Sequence, residues 1–174
     1  MRSRLPLLLL FVLGACAGPI ETRIVSSGPG IANPEYILQE EPPKADLPLR
    51  AHIAVMHQLA DRGYMVSDTG SLKLDIAFAE RDAAIAVLAK SGSYQATIAP
   101  AKQKKALQSC ADHEMRLTVT LTRIADGVEL YRGNASEYHC KAKAEDVVPE
   151  LVKAALTDLT KPKGAYSITR QGLE

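Results

Sequence analysis

Residues 115–138, MRLTVTLTRIADGVELYRGNASEY, carry the alternation and the turn from which the rest of the architecture follows. Met115, Leu117, Val119 and Leu121 alternate with Arg116, Thr118, Thr120 and Thr122. A period of two marks a strand with one buried face, because successive side chains leave a pleated backbone on opposite sides. Asp126-Gly127 then predicts a turn, since glycine accepts positive φ without steric penalty. Val128 to Tyr138 returns as the second strand of a hairpin. A three-residue bulged loop over Ala125-Asp126-Gly127 would set Leu121 opposite Tyr131, Val119 opposite Gly133, Leu117 opposite Ala135 and Arg123 opposite Glu129. Arg116 and Glu137 come near one another as a cross-strand ion pair of small worth.

Cys110 and Cys140 flank the open ends of this hairpin, two or three positions out of step. An even pair of cysteines in an exported chain reads as a disulfide. The bridge would close a loop of about thirty residues, stabilising by on the order of 3–4 kcal/mol in the chain-entropy model. Free thiols are one alternative. A zinc site made with His113 and His139 is another, but His139 and Cys140 are neighbours on a strand and point to opposite faces. The two histidines are expected as exposed strand ends, and no metal is expected.

Further out, Asp46 followed by Pro48 predicts a helix from Leu47 to Arg62, stopped by Gly63, with Leu49, Ile53, Met56, Leu59 and Ala60 on its apolar face. Leu72 to Phe78 alternates as a half-buried strand. Asp146 and Pro149 open a second helix to Leu159, striped by Val148, Leu151, Val152, Ala155 and Leu159. Short strands are expected near Ile20–Ser26, Tyr36–Gln39 and Tyr64–Val66. Residues 82–109 read as a long excursion, with Tyr94–Ile98 a possible strand, and 161–174 as a loose tail with a short strand near Tyr166–Thr169. The resulting class is α+β, an antiparallel sheet with two helices packed on one face, in a single domain over 36–160.

The beginning of the chain gives an address. Arg2 and Arg4 precede an apolar run, Leu5 to Leu13, of about nine residues, too short to span a bilayer and typical of a secretory signal. Leu13-Gly14-Ala15-Cys16 resembles the bacterial lipobox, which predicts a signal peptide over 1–15 and lipidation of Cys16 with acyl chains such as palmitate. Residues 16–35 then read as a lipidated tether containing one short strand. Ala17, where lipoproteins kept at the inner membrane carry Asp, implies the outer membrane with the domain facing the periplasm.

A cut before Cys16 leaves 159 of the 174 residues and, by losing Arg2 and Arg4, lowers the formal net charge from +1 by two, to about −1. A near-neutral domain lacks the basic face that nucleic acid requires. The short run Lys102, Lys104, Lys105 is a possible contact with an anionic partner, although basic runs more often form solvated loops. His52 and His57, five apart on the first helix, are not spaced as a metal-ligand pair. Asp75, Glu80 and Asp82 around a strand end read as surface carboxylates. No Gly-x-Ser-x-Gly or phosphate-binding loop occurs, so neither catalytic residues nor a cofactor are expected.

Several blocks together carry a resemblance. They are Tyr36-Ile37-Leu38, Leu59-Ala60-Asp61-Arg62-Gly63-Tyr64, Leu74-Asp75-Ile76-Ala77-Phe78, and the hairpin with its closing helix. Over roughly residues 20–160 the chain resembles a group of small Gram-negative lipoproteins known only as a domain of unknown function. More distantly it is similar to auxiliary lipoproteins of envelope lipid transport. The resemblance brings no catalytic residues, and the reading is a non-enzymatic, membrane-anchored lipoprotein that binds a protein or lipid partner in the envelope, with 82–109 the expected contact region because long excursions from a compact domain are often functional. The alternatives are a subunit of a lipid or lipopolysaccharide transport assembly and a lipid-anchored hydrolase.

Overall fold

The computed structural model describes residues 18–91, 94–104 and 110–172. Among them run β1 (Ile20–Ser27), β2 (Tyr36–Leu38), α1 (Asp46–Ala60), β3 (Met65–Ser67), β4 (Leu72–Asp82), β5 (Val87–Ser91), β6 (Tyr94–Ala99), β7 (His113–Arg123), β8 (Glu129–His139), α2 (Ala144–Ala155) and β9 (Gly164–Arg170). Seven strands form one sheet in the order β3-β2-β4-β7-β8-β1-β9, and β5 and β6 pair by themselves. The large sheet is antiparallel except where β2 lies parallel to β3 and β4. Strands dominate, and the two helices are a minority of the chain.

The hairpin β7–β8 sits at the centre, with Leu121 opposite Tyr131, Val119 opposite Gly133 and Leu117 opposite Ala135, as its pattern predicts. One expected juxtaposition, Arg123 with Glu129, and one expected ion pair, Arg116 with Glu137, do not form across it. A register shift after Leu121 sets Glu129 opposite Thr122 rather than Arg123. Arg123 instead reaches Asp126 in the turn at 2.9 Å, and Glu129 takes Arg132. Arg116 lies opposite Ser136 while Glu137 lies opposite Met115, so the period-two pleat sends the two side chains to opposite faces.

One row of the sheet is dry. Ile24, Leu72, Leu117, Val119, Leu121, Tyr131 and Ala135 join Ala51, Val55 and Leu59 of α1 and Val148, Leu151, Val152 and Ala155 of α2 in one core. The stripe predicted for α2 is buried throughout, Leu159 included. That of α1 is rotated from expectation. Leu59 is buried as expected and Leu49 and Met56 are half-buried, but the stripe centres on Ala51, Val55 and Leu59, and Ile53 is left 59% exposed. Gly133 explains how closely α2 lies on the sheet, because a Cβ there would stand 1.9 Å from the Ala155 carbonyl oxygen.

Three segment readings are corrected. Residues 20–27 are not tether: β1 lies inside the sheet between β8 and β9, with Thr22, Ile24 and Ser26 buried. Residues 164–170 are not a loose tail, because β9 pairs along β1 from Ile20 opposite Arg170 to Ser26 opposite Gly164. The short alternating run in each was too weak a signal alone, and each strand completes the other's hydrogen-bond ladder. Finally, β4 runs four residues past Phe78 to Asp82, up to the expected start of the excursion, whose described part is built on the β5–β6 hairpin.

Candidate functional site

Charged and reactive side chains gather at one end of the sheet, where β4 ends, β7 begins and β8 ends. Asp82 lies opposite His113, and His113 opposite His139. Just beyond, the Cys110 and Cys140 sulfurs stand at disulfide distance with their Cα atoms 5.6 Å apart.

Two buried carboxylates sit beneath this end, one on each face of the sheet. Glu137 is fully buried on the core side. Its oxygens accept from Thr22 Oγ1 at 2.5 Å, Arg170 Nε at 3.0 Å and Nη2 at 2.5 Å, and bond His139 Nε2 at 2.8 Å. Burial alone pushes the carboxyl up, but the hydrogen bonds from His139, Arg170 and Thr22 outweigh it and hold it down at about 2. His139 is therefore a buried partner of Glu137 and not an exposed strand end, because its phase on β8 is that of Tyr131 and Ala135. His113 is exposed, 3.6 Å from Glu80.

On the other face Glu114 is 2% exposed between Arg81 and Arg116, the latter at 2.6 Å. Arg81 also donates to the carbonyl oxygens of Asp82, Ile85 and Pro100, so it joins Glu114 to the root of the β5–β6 hairpin. Two backbone bonds fix the same root, Lys102 N–H to the Ala83 oxygen at 2.7 Å and Ala83 N–H to the Asp112 oxygen at 2.9 Å.

The basic run divides here. Lys102 turns onto its own chain, 2.7 Å from Asp112 and over the Tyr138 ring at 4.4 Å. Arg23 lies over the same ring at 5.1 Å. Lys104 is exposed, and Lys105 lies outside the described residues, as does Cys16. Beside this root Ile85, Val87 and Leu88 are exposed by 61%, 40% and 51%.

A second polar cluster lies toward the opposite end. Asp158 accepts from Ser26 at 3.0 Å and pairs with Lys163 at 2.9 Å. Burial raises its carboxyl, but bonds from Lys163, Tyr166 and Ser26 leave it below the usual range. Burial and Asp158 push the Tyr166 phenol up to about 12. Tyr131, raised chiefly by burial, donates to the Ala155 oxygen at 2.5 Å.

Between α1 and α2 runs an open, mostly apolar groove of about 480 Å³, floored by Ile53, Ala54, Val148 and Val152 and edged by Arg50, His57 and Glu145. His57 pairs with Asp61 at 3.3 Å, while His52 lies half-buried elsewhere on α1. The four histidines are thus not brought together. Asp75 pairs with Lys73 at 2.9 Å, away from Glu80 and Asp82, which both lie by His113; Asp82 also accepts from the Ala84 N–H. Among the described residues no three His, Cys, Asp or Glu side chains are grouped to hold a metal ion.

No family model matches the chain, and no curated protein matches it. Among solved structures it is similar to a PDZ domain protein from Parabacteroides distasonis. The TM-score is 0.51 and the identity 10%, over 88% of this chain and 40% of that one. This chain therefore spans less than half the length of that protein, and the likeness is one of fold. It also aligns with the PelC dodecamer from Paraburkholderia phytofirmans at a TM-score of 0.46 and 10% identity, over 80% of this chain and 99% of that one.

Sequence reading placed the cysteine pair correctly and missed both buried carboxylates. A signal for Glu137 was present, because it occupies the core phase of Tyr131, Gly133 and Ala135. A charge in that phase demands buried partners.

Proposed function

We propose that this chain is a non-catalytic lipoprotein of the bacterial envelope, anchored through Cys16 to the outer membrane and presenting its α+β domain to a protein or lipid partner. The observation that carries this reading is the order of the segment ahead of β1. A basic start, a short apolar run and Leu13-Gly14-Ala15-Cys16 are followed within four residues by the sheet. The cysteine pair at disulfide distance supports an oxidising compartment. The buried carboxylates Glu137 and Glu114 are held by arginines, and His52 and His57 lie on α1 away from His113 and His139, which favours a binding role over hydrolysis. In this reading the two helices form a layer on one face of the sheet, and the groove between them and the opposite sheet end are the surfaces left for partners.

Mass spectrometry of the mature N-terminus under non-reducing conditions tests it. The expected product begins at Cys16, carries acyl chains and holds Cys110 and Cys140 bridged. Cys16→Ser is expected to leave the membrane fraction. A product that retains residues 1–15, or a Cys16→Ser protein that fractionates unchanged, overturns the proposal.

A further inference from the structure

We infer that the apolar root of the β5–β6 hairpin is a second membrane contact, in which Ile85, Val87 and Leu88 enter the lipid interface beside the anchor. The inference rests on the proposed lipidation of Cys16 and adds to it which end of the domain meets the bilayer. The register carries the argument. Arg23 of β1 lies opposite Ser136 of β8, and continuing that ladder brings Ile20 beside His139. His139 faces His113, and His113 faces Asp82. Ile20 and the end of β4 therefore share one row across the sheet, about 14 Å apart at the usual strand spacing.

Three residues separate Cys16 from Ile20, so four Cα–Cα steps reach at most about 14 Å when extended. A lipid on Cys16 holds this end of the sheet at the bilayer surface. The far end, at the β7–β8 turn, is roughly 35 Å away along strands of eleven residues. Three large aliphatic side chains are exposed at the near end within four positions, a denser run than Ile124 and Val128 at the far turn. Lys104, exposed on the return from β6, adds a positive charge suited to an anionic headgroup. The hairpin root is held rigidly by Arg81, Glu114 and the Lys102–Ala83 bond, so it keeps its place when it touches lipid.

The chain contains no tryptophan, which makes a single introduced indole a clean reporter. Leu88→Trp and, at the far turn, Val128→Trp would each be made in the full chain. The acylated protein would be purified and reconstituted into phosphatidylethanolamine–phosphatidylglycerol vesicles with or without brominated acyl chains. Leu88→Trp emission is expected to shift to the blue and fall by roughly half with brominated lipid, the depth of an interfacial contact, while Val128→Trp is unchanged. Acylated protein that floats with the vesicles but shows equal, weak quenching at both positions overturns the membrane contact and leaves the anchor standing. A blue shift that depends on protein concentration without quenching overturns it in favour of a second copy of this chain. A product without acyl chains that does not float removes both readings together.

Discussion

Arg170 of β9 donates two hydrogen bonds to the buried carboxylate of Glu137, reaching across β1 to β8. This fork fastens the last described strand to the centre of the sheet. Arg170→Ala leaves a fully buried carboxylate short of its strongest partner, and stability is expected to fall by about 3 kcal/mol. Arg170→Lys restores the charge but not the planar fork and should recover only part of the loss. Urea unfolding of the three proteins measures both effects.

The same carboxylate sets an acid limit. Its folded value of about 2 lies below the ordinary 4.5. The ionised form is thus favoured by folding, and its contribution is complete above the ordinary value. It is lost as pH falls toward 2, by about 3 kcal/mol in all. Glu137→Gln is expected to be less stable than the parent at neutral pH and to lose less between about pH 5 and pH 2. Parallel acid-limb slopes in the two proteins would count against the network.

Two glycines separate space from backbone conformation. At Gly133 a Cβ meets the Ala155 oxygen at 1.9 Å and the Tyr131 hydroxyl at 2.5 Å. Gly133→Ala must push α2 off the sheet and is expected to cost about 3 kcal/mol. Gly127 has φ of 70° and no neighbour within 4 Å of the added carbon, so Gly127→Ala costs about 1 kcal/mol from backbone strain alone. Calorimetry of both variants orders the two effects.

The cysteine pair spans a sequence separation of 30. Replacing both by serine is expected to lower stability by about 3–4 kcal/mol through the unfolded chain, and the melting temperature by roughly 10 °C. An equal fall when the parent is treated with reductant, and none when the double variant is, would assign the effect to the bridge.

The central hairpin was legible because Met115 to Leu121 alternate without exception and Asp126-Gly127 marks one turn. The α2 stripe was legible for the analogous reason at helical spacing. The phase of α1 was not, because Leu49, Ile53 and Met56 offer one stripe and Ala51, Val55 and Leu59 another, and only docking on β4 and α2 chooses between them. Short strands at β1 and β9 were legible, but their pairing was not, because the two lie far apart in the sequence. Glu137 read as half of a weak cross-strand ion pair and Glu114 gave no reading, since burial of a carboxylate depends on arginines that only tertiary structure brings within reach.

The pairing of β1 with β9 has a consequence for biosynthesis. Ile20 emerges early and must wait for Arg170 before its outer ladder closes, while the β7–β8 hairpin forms from contiguous residues. A growing or threading polypeptide therefore carries an open edge until its final strand arrives. Export as proposed, through a narrow channel that admits only a chain not yet locked, would benefit from that delay.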